Sequence, residues 1–96
     1  MVFDFALKKS LNTAFASTTF NGAALGSVGT NTVNGLIGWW SNASVTFVDN
    51  HDTGWSSGAS QSHWPLPCPV NGDLTSVKAA YAFILTHPGI PNVYWS

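Results

Sequence analysis

The chain has 96 residues, of which 45% are hydrophobic and only 7% are charged, and its formal net charge is −1. A chain of this length supports one small core at most. The charged fraction lies far below the roughly 25% of an ordinary soluble domain, which predicts a segment of something larger. Three lysines are the only residues of the Lys and Arg types, so the sequence has no basic patch and nucleic acid is not expected as a partner.

Other global features narrow the class of protein. No apolar run approaches the roughly 20 residues that span a bilayer, so we expect no membrane partner. The start of the chain has neither a basic n-region nor a cleavage site, and it does not predict a signal peptide. Cys68 is the only cysteine, so no internal disulfide can form. Five tryptophans at low charge fit a sugar-binding surface, although they could equally be ordinary core residues.

The first half of the chain opens with a strand-to-helix unit. Val2 to Phe5 is a short apolar run that predicts a strand, and apolar residues then recur at helical spacing from Leu7 to Phe15. Asp4 is well placed to cap this helix, which we expect over Phe5 to Ala16. Residues 17–35 are rich in Gly, Ser, Thr and Asn, and they predict a long loop.

A second strand leads into a cluster of polar residues. Val45 to Val48 is β-branched and aromatic, which predicts a buried strand. The next four residues are Asp49, Asn50, His51 and Asp52. They lie at the carboxyl end of the strand, where ligands bind in parallel α/β sheets. Two carboxylates, an amide and an imidazole are costly to bury without partners, so the cluster indicates a functional site.

The last part of the chain predicts a loop, a helix and a strand. Residues 53–73 combine several prolines with tryptophan and histidine, and we expect a structured loop over the strand's end. An amphipathic pattern from Leu74 to Leu85 predicts a helix with Asp73 as its N-cap. His87-Pro88-Gly89 ends that helix. Val93 to Trp95 predicts a strand that lies parallel to and beside the preceding one.

The order of these elements predicts the fold class. Strands that alternate with helices imply an α/β fold with a parallel sheet. Three strands and two helices do not close on themselves, and a (β/α)₈ barrel needs about 250 residues. We therefore predict a partial (β/α)₈ TIM barrel, with residues 1–96 forming part of one catalytic barrel domain.

The stretch Phe47-Val48-Asp49-Asn50-His51-Asp52 resembles the fourth sequence region of the α-amylase family of glycoside hydrolases, family 13 type, which ends in Asn-His-Asp. Further matches to plant α-amylases and maltotetraose-forming amylases follow in family order: Val2–Phe5, Gly35–Trp40, Gln61–Pro67, Ala80–Gly89 and Asn92–Trp95. The resemblance implies that the chain covers roughly strands 6 to 8 of the barrel. Residues 17–34 and 53–60 match poorly.

The resemblance implies roles for several residues. Asp52 is the catalytic carboxylate that stabilises the transition state, and His51 hydrogen-bonds a sugar hydroxyl. These roles suit an oxocarbenium-like transition state, whose positive charge favours a fixed anion and whose 2-OH hydrogen bonds strengthen as it forms. We expect Asp49 and Asn50 to be structural. No metal ligand is assigned in this chain, since the resemblance implies Ca²⁺ in the full-length enzyme with ligands elsewhere.

Four further residues are candidates for substrate binding. Trp39 and Trp40 resemble the tandem-tryptophan starch-surface site of plant α-amylases, although a core role for at least one ring is an equal alternative. Gln61 and Trp64 are candidate subsite residues in a loop that could instead pack only on itself.

The resemblance implies a retaining enzyme that cleaves α-1,4-glucosidic bonds in starch and maltooligosaccharides, extracellular and monomeric at full length. The family's nucleophilic aspartate and acid/base glutamate would precede residue 1, and the chain contains no glutamate. We therefore expect the 96-residue chain alone to be inactive. The alternatives are a starch-binding segment without chemistry, an exo-acting maltotetraose-forming enzyme, and a structural segment without independent function.

Overall fold

A computed structural model describes residues 1–15, 20–27, 32–50 and 75–94 of the chain. The strands are β1 (Val2–Phe3), β2 (Gly26–Ser27), β3 (Thr32–Val33), β4 (Ser44–Phe47) and β5 (Ile90–Asn92). The α-helices are α1 (Phe5–Ala14) and α2 (Thr75–Thr86). Short 3₁₀ helices cover Gly22–Leu25, Leu36–Gly38 and Ser41–Ala43. Neither α-helix in these ranges is long and apolar enough to cross a membrane.

Three of the strands form a parallel sheet in the order β1-β4-β5. Val45 of the central strand lies opposite Phe3 on one side and Ile90 on the other. Consecutive parallel strands joined through helices define an α/β architecture, so the predicted fold class is confirmed at this level. The predicted parallel pairing of the strand before the polar cluster with the last strand is also confirmed.

The last strand is displaced from its predicted position. We predicted Val93 to Trp95, whereas β5 covers Ile90–Asn92, with Pro91 opposite Thr46. The β-propensity of valine and tyrosine favoured the later residues, but the register against β4 decides which residues pair. Pro91 has no N–H to donate, and it is tolerated because β5 is an edge strand among the described residues.

Both helices follow the local signals in the sequence. The backbone N–H of Leu7 donates to Asp4 Oδ1 at 3.0 Å, so Asp4 is the N-cap of α1 as predicted. That helix ends at Ala14, two residues before the predicted end. The second helix ends at Thr86, before Gly89, whose φ of 128° lies in the region that favours glycine. The predicted Asp73 cap lies outside the described residues.

The long loop predicted between α1 and β4 contains local structure. Its described residues form one 3₁₀ helix and the antiparallel pair β2–β3. Asn34 makes two hydrogen bonds that hold this region together. Its side-chain Nδ2 donates to Ala24 O at 3.0 Å, and its backbone N–H donates to Leu25 O at 3.2 Å. The prediction of an irregular segment was therefore wrong in part, since composition does not reveal a pairing of two-residue strands.

The hydrophobic core lies between the sheet and the helices. Its buried side chains are contributed by both helices, the turn before β4 and the residue after β4: Leu7, Leu11, Ile37, Val48, Ala80 and Ile84. Side chains alternate along a strand, so Phe47 points away from its neighbour Thr46. The Phe47 ring meets Phe3 and Phe5 edge to face, with centroid distances of 5.5 and 5.0 Å. These two partner rings remain largely exposed in the described part of the chain.

Candidate functional site

The predicted catalytic cluster begins where β4 ends. Asp49 and Asn50 follow the buried Val48 directly and are partly exposed. The predicted site residues His51, Asp52, Gln61 and Trp64 lie outside the described residues. The described part of the cluster therefore shows how the chain leaves β4, and the roles of the four later residues stay predictions.

Asp49 is bound from the helix layer. The Tyr81 hydroxyl on α2 donates a hydrogen bond to Asp49 Oδ1, across 32 positions of sequence. Burial raises the pKa of Tyr81 above its usual value, and the hydrogen bond to Asp49 and the charge of Asp49 raise it further. The phenol therefore remains a proton donor at neutral pH. This contact agrees with the structural role expected for Asp49.

A buried lysine lies near the same carboxylate. Lys8 on α1 is only 5% exposed, and its Nζ donates to Asn12 Oδ1 at 3.0 Å. Burial lowers the pKa of Lys8 from 10.5 to about 8, and the negative charge of Asp49 acts in the opposite direction. Sequence reasoning missed Lys8. The available signal was its position next to Leu7 on the core side and four residues before Asn12, a spacing that lets helical side chains meet.

A second buried carboxylate organises the approach to β4. Asp4 is 3% exposed. Besides capping α1, it accepts hydrogen bonds on Oδ2 from the Ile37 backbone N–H at 2.8 Å and from Ser44 Oγ at 2.9 Å. One side chain thus joins α1, the Leu36–Gly38 turn and the first residue of β4. Gly35 makes the close approach possible, since its φ is 124° and a Cβ there would lie 2.6 Å from Asp4 Oδ1.

The tryptophan pair follows this anchored turn. Trp39 is 78% exposed and Trp40 is 59% exposed. Both line an open, mainly apolar groove of about 590 Å³, whose other lining residues come from β1, the start of α1 and the turn: Val2, Phe3, Asp4, Phe5, Ala6, Gly35 and Leu36. Neither ring packs in the core of the described residues. Both are accessible for stacking on a ligand, as the surface-site interpretation requires.

The described residues contain no group of three or more His, Cys, Asp or Glu side chains that could hold a metal ion. The two carboxylates placed by the structure already accept hydrogen bonds: Asp4 from three donors and Asp49 from Tyr81. In this part of the chain both carboxylates therefore serve as hydrogen-bond acceptors.

Comparison with known proteins finds relatives that are all named as amylases or maltotetraohydrolases. No protein-family model matches the chain. A glucan 1,4-alpha-maltotetraohydrolase from Roseateles saccharophilus is 43% identical over 98 aligned positions, which cover 99% of this chain and 15% of that protein. A probable alpha-amylase 2 from Arabidopsis thaliana is 49% identical over 61 residues, covering 64% of this chain and 12% of that protein. An alpha-amylase type B isozyme from Hordeum vulgare is 45% identical over 60 residues, covering 62% of this chain and 33% of that protein.

These relatives are plant and bacterial, and their identities to the chain all exceed 40%. The chain spans between 12% and 33% of the length of these three relatives. The family resemblance is thus confirmed, and the chain belongs to the α-amylase family, corresponding to a limited stretch of its members.

Proposed function

We propose that this chain is part of a retaining glycoside hydrolase that cleaves α-1,4-glucosidic bonds in starch-like glucans. The observation that carries the proposal is the 43% identity, across 99% of the chain, to a protein named as a glucan 1,4-alpha-maltotetraohydrolase. The parallel sheet supports it, because the Asp49–Asp52 cluster directly follows the central strand β4. In this proposal residues 1–96 belong to one (β/α)₈ barrel domain, with β1, β4 and β5 as its sixth to eighth strands.

The proposed chemistry at this strand end belongs to Asp52 and His51. In a (β/α)₈ barrel the carboxyl ends of the strands carry the catalytic residues. Asp52 supplies a fixed negative charge to the oxocarbenium-like transition state, and His51 donates to a sugar hydroxyl. Gln61 and Trp64 contact the glucan in neighbouring subsites. The acid/base comes from the rest of the enzyme, since the chain contains no glutamate, and the nucleophilic aspartate comes from there as well, as the family resemblance implies.

The proposed second contact with substrate is the surface formed by Trp39 and Trp40. Their exposure, 78% and 59%, leaves the ring faces free to stack on the apolar faces of glucose units. The turn before them is held by Asp4 through the Ile37 N–H, so the rings begin from a fixed backbone. A pre-ordered aromatic surface loses little entropy when it binds.

The remaining parts of the proposal concern the complete enzyme. It is an extracellular monomer that binds Ca²⁺ through residues outside this chain. The described residues do not fit a calcium site, because they lack a cluster of ligating side chains, and no catalytic step is derived through the ion. Fractionation of the producing cells, size-exclusion chromatography and metal analysis of the purified enzyme test these three statements.

One experiment separates hydrolase, binding segment and structural segment. Residues 1–96 replace the aligned stretch of the Roseateles saccharophilus maltotetraohydrolase, and reducing sugar released from soluble starch is measured. We expect the chimera to be active and the 96-residue chain to release no sugar above a boiled control. A folded, inactive chimera that still binds starch would favour a binding segment. A folded chimera that neither cleaves nor binds starch would favour a structural segment.

A second candidate function is exo-acting release of maltotetraose. The share of the chain that each alignment covers favours this function. The alignment to the bacterial maltotetraohydrolase covers 99% of the chain, whereas the alignment to the Arabidopsis thaliana amylase covers 64%. Chromatography of early products in the natural enzyme distinguishes the two candidates. Maltotetraose alone indicates exo-action, whereas a mixture of chain lengths indicates endo-action.

A further inference from the structure

We propose that Tyr81 is a positioning residue, which acts through Asp49 to fix the direction in which the chain leaves β4 towards His51 and Asp52. The inference rests on the proposed function, because that function gives His51 and Asp52 their contact with substrate. The hydrogen-bonded pair of Asp49 and Tyr81 is called the exit cluster below.

The structural support is the contact that Asp49 receives from α2. β4 ends at Phe47, and Val48 is still buried in the core at 1% exposure. The next residue, Asp49, accepts the hydrogen bond of the Tyr81 hydroxyl. The first polar side chain after the strand is therefore held by the helix layer. Asp49 precedes His51 by two positions and Asp52 by three. A change in the backbone dihedral angles of Asp49 would therefore change the positions of both later residues.

The position of the exit cluster indicates that it aligns the chain after β4 more than it stabilises the whole domain. Asp49 and Tyr81 are partly exposed and lie at the border of the core. One hydrogen bond in such a place contributes modestly to the stability of the whole domain. Catalysis is more sensitive, since a displacement of about 1 Å can cost roughly 100-fold in rate. The expected signature is a fall in kcat with little change in KM or in the melting temperature.

The test uses the active chimera and changes one hydroxyl. Tyr81→Phe keeps the ring packed at the border of the core and removes the donor to Asp49, so we expect kcat on soluble starch to fall by roughly 10- to 100-fold. KM should stay within about twofold, because glucan contacts remain. Tyr94→Phe is the matched control, as it removes the other tyrosine hydroxyl of the chain from an exposed position, and kcat should not change.

Substitutions at Asp49 separate alignment from folding. Asp49→Ala removes the acceptor and should lower kcat as much as Tyr81→Phe does, and the double variant should be no worse than either single one. Asp49→Asn keeps an acceptor oxygen for the Tyr81 hydroxyl and should restore most of the rate. A residue needed only for folding would instead lower the melting temperature together with kcat.

Each outcome decides the inference. An unchanged kcat in Tyr81→Phe overturns it while the chimera's activity upholds the proposed function. A loss of kcat that follows the melting temperature and is not restored by Asp49→Asn also overturns it. If the chimera itself is inactive, the proposed function fails. NMR of the 96-residue chain then tests whether the Tyr81–Asp49 hydrogen bond fixes the path of the residues that follow. Tyr81→Phe should then shift the amide resonances of residues 50–52, with Tyr94→Phe leaving them in place, and unshifted resonances would reject it.

Discussion

Asp4→Ala should remove a large share of the stability of this segment. The carboxylate accepts hydrogen bonds from the Leu7 N–H at 3.0 Å, the Ile37 N–H at 2.8 Å and Ser44 Oγ at 2.9 Å. Water cannot readily replace it, since Asp4 is almost fully buried. The substitution therefore disconnects α1, the turn before the tryptophan pair and β4 from one another.

The magnitude follows from the three lost bonds. Loss of the N-cap of α1 costs about 1 kcal/mol. The Ile37 N–H, left without an acceptor in the interior, costs about 1 to 3 kcal/mol, and the fully buried Ser44 hydroxyl adds about 1 kcal/mol. The expected loss is about 3 to 5 kcal/mol, compared with about 5 to 15 kcal/mol for the unfolding of a whole domain.

Urea unfolding of the 96-residue chain, followed by far-ultraviolet circular dichroism, measures this loss. Asp4→Asn keeps one acceptor oxygen and should lose about half as much as Asp4→Ala. Ser10→Ala is the control, because its Oγ bonds to Ala6 O on the helix surface, and its effect should stay within about 0.5 kcal/mol. A loss below about 1 kcal/mol for Asp4→Ala would refute the role of the carboxylate as the link between these elements.

Three further predictions concern other features of the structure. Gly35→Ala should destabilise by about 2 to 5 kcal/mol in the same urea assay, because its φ is 124° and the new Cβ would lie 2.6 Å from Asp4 Oδ1. The free energy of unfolding should rise with pH between about 8 and 10.5 relative to Lys8→Met, because there the unfolded lysine holds a proton that the folded one has released. Trp39→Ala and Trp40→Ala in the chimera should weaken adsorption to granular starch several-fold, with unchanged hydrolysis of short maltooligosaccharides.

The features predicted correctly from the sequence depend on near neighbours in the chain. The Asp4 cap and the end of α2 before Gly89 are set within a few residues of the helix end. The strand predicted at Val45 to Val48 is observed as Ser44–Phe47, because a β-branched and aromatic run favours a buried strand wherever it pairs. The family assignment required longer matches, and it too came from contiguous stretches.

The features that the sequence did not predict depend on distant partners. Asp4 reaches residues 33 and 40 positions away, and the Tyr81–Asp49 bond spans 32 positions. The amphipathic pattern from Leu74 to Leu85 predicted the helix that carries Tyr81, and it carried no information about the partner of the Tyr81 hydroxyl. The strand β5 was misplaced for the same reason, because its register depends on β4 and not on local propensity.

We propose that Asp52 is a catalytic carboxylate of a retaining α-glucan hydrolase, and kcat of the chimera carrying Asp52→Asn tests this role most directly. Asparagine keeps the shape and removes the charge, so kcat on soluble starch should fall by roughly 100- to 1,000-fold. Asp73→Asn is the matched control, since asparagine caps helices as well as aspartate does, and its kcat should stay close to that of the unchanged chimera. Near-normal turnover of starch by the Asp52→Asn chimera would contradict the account.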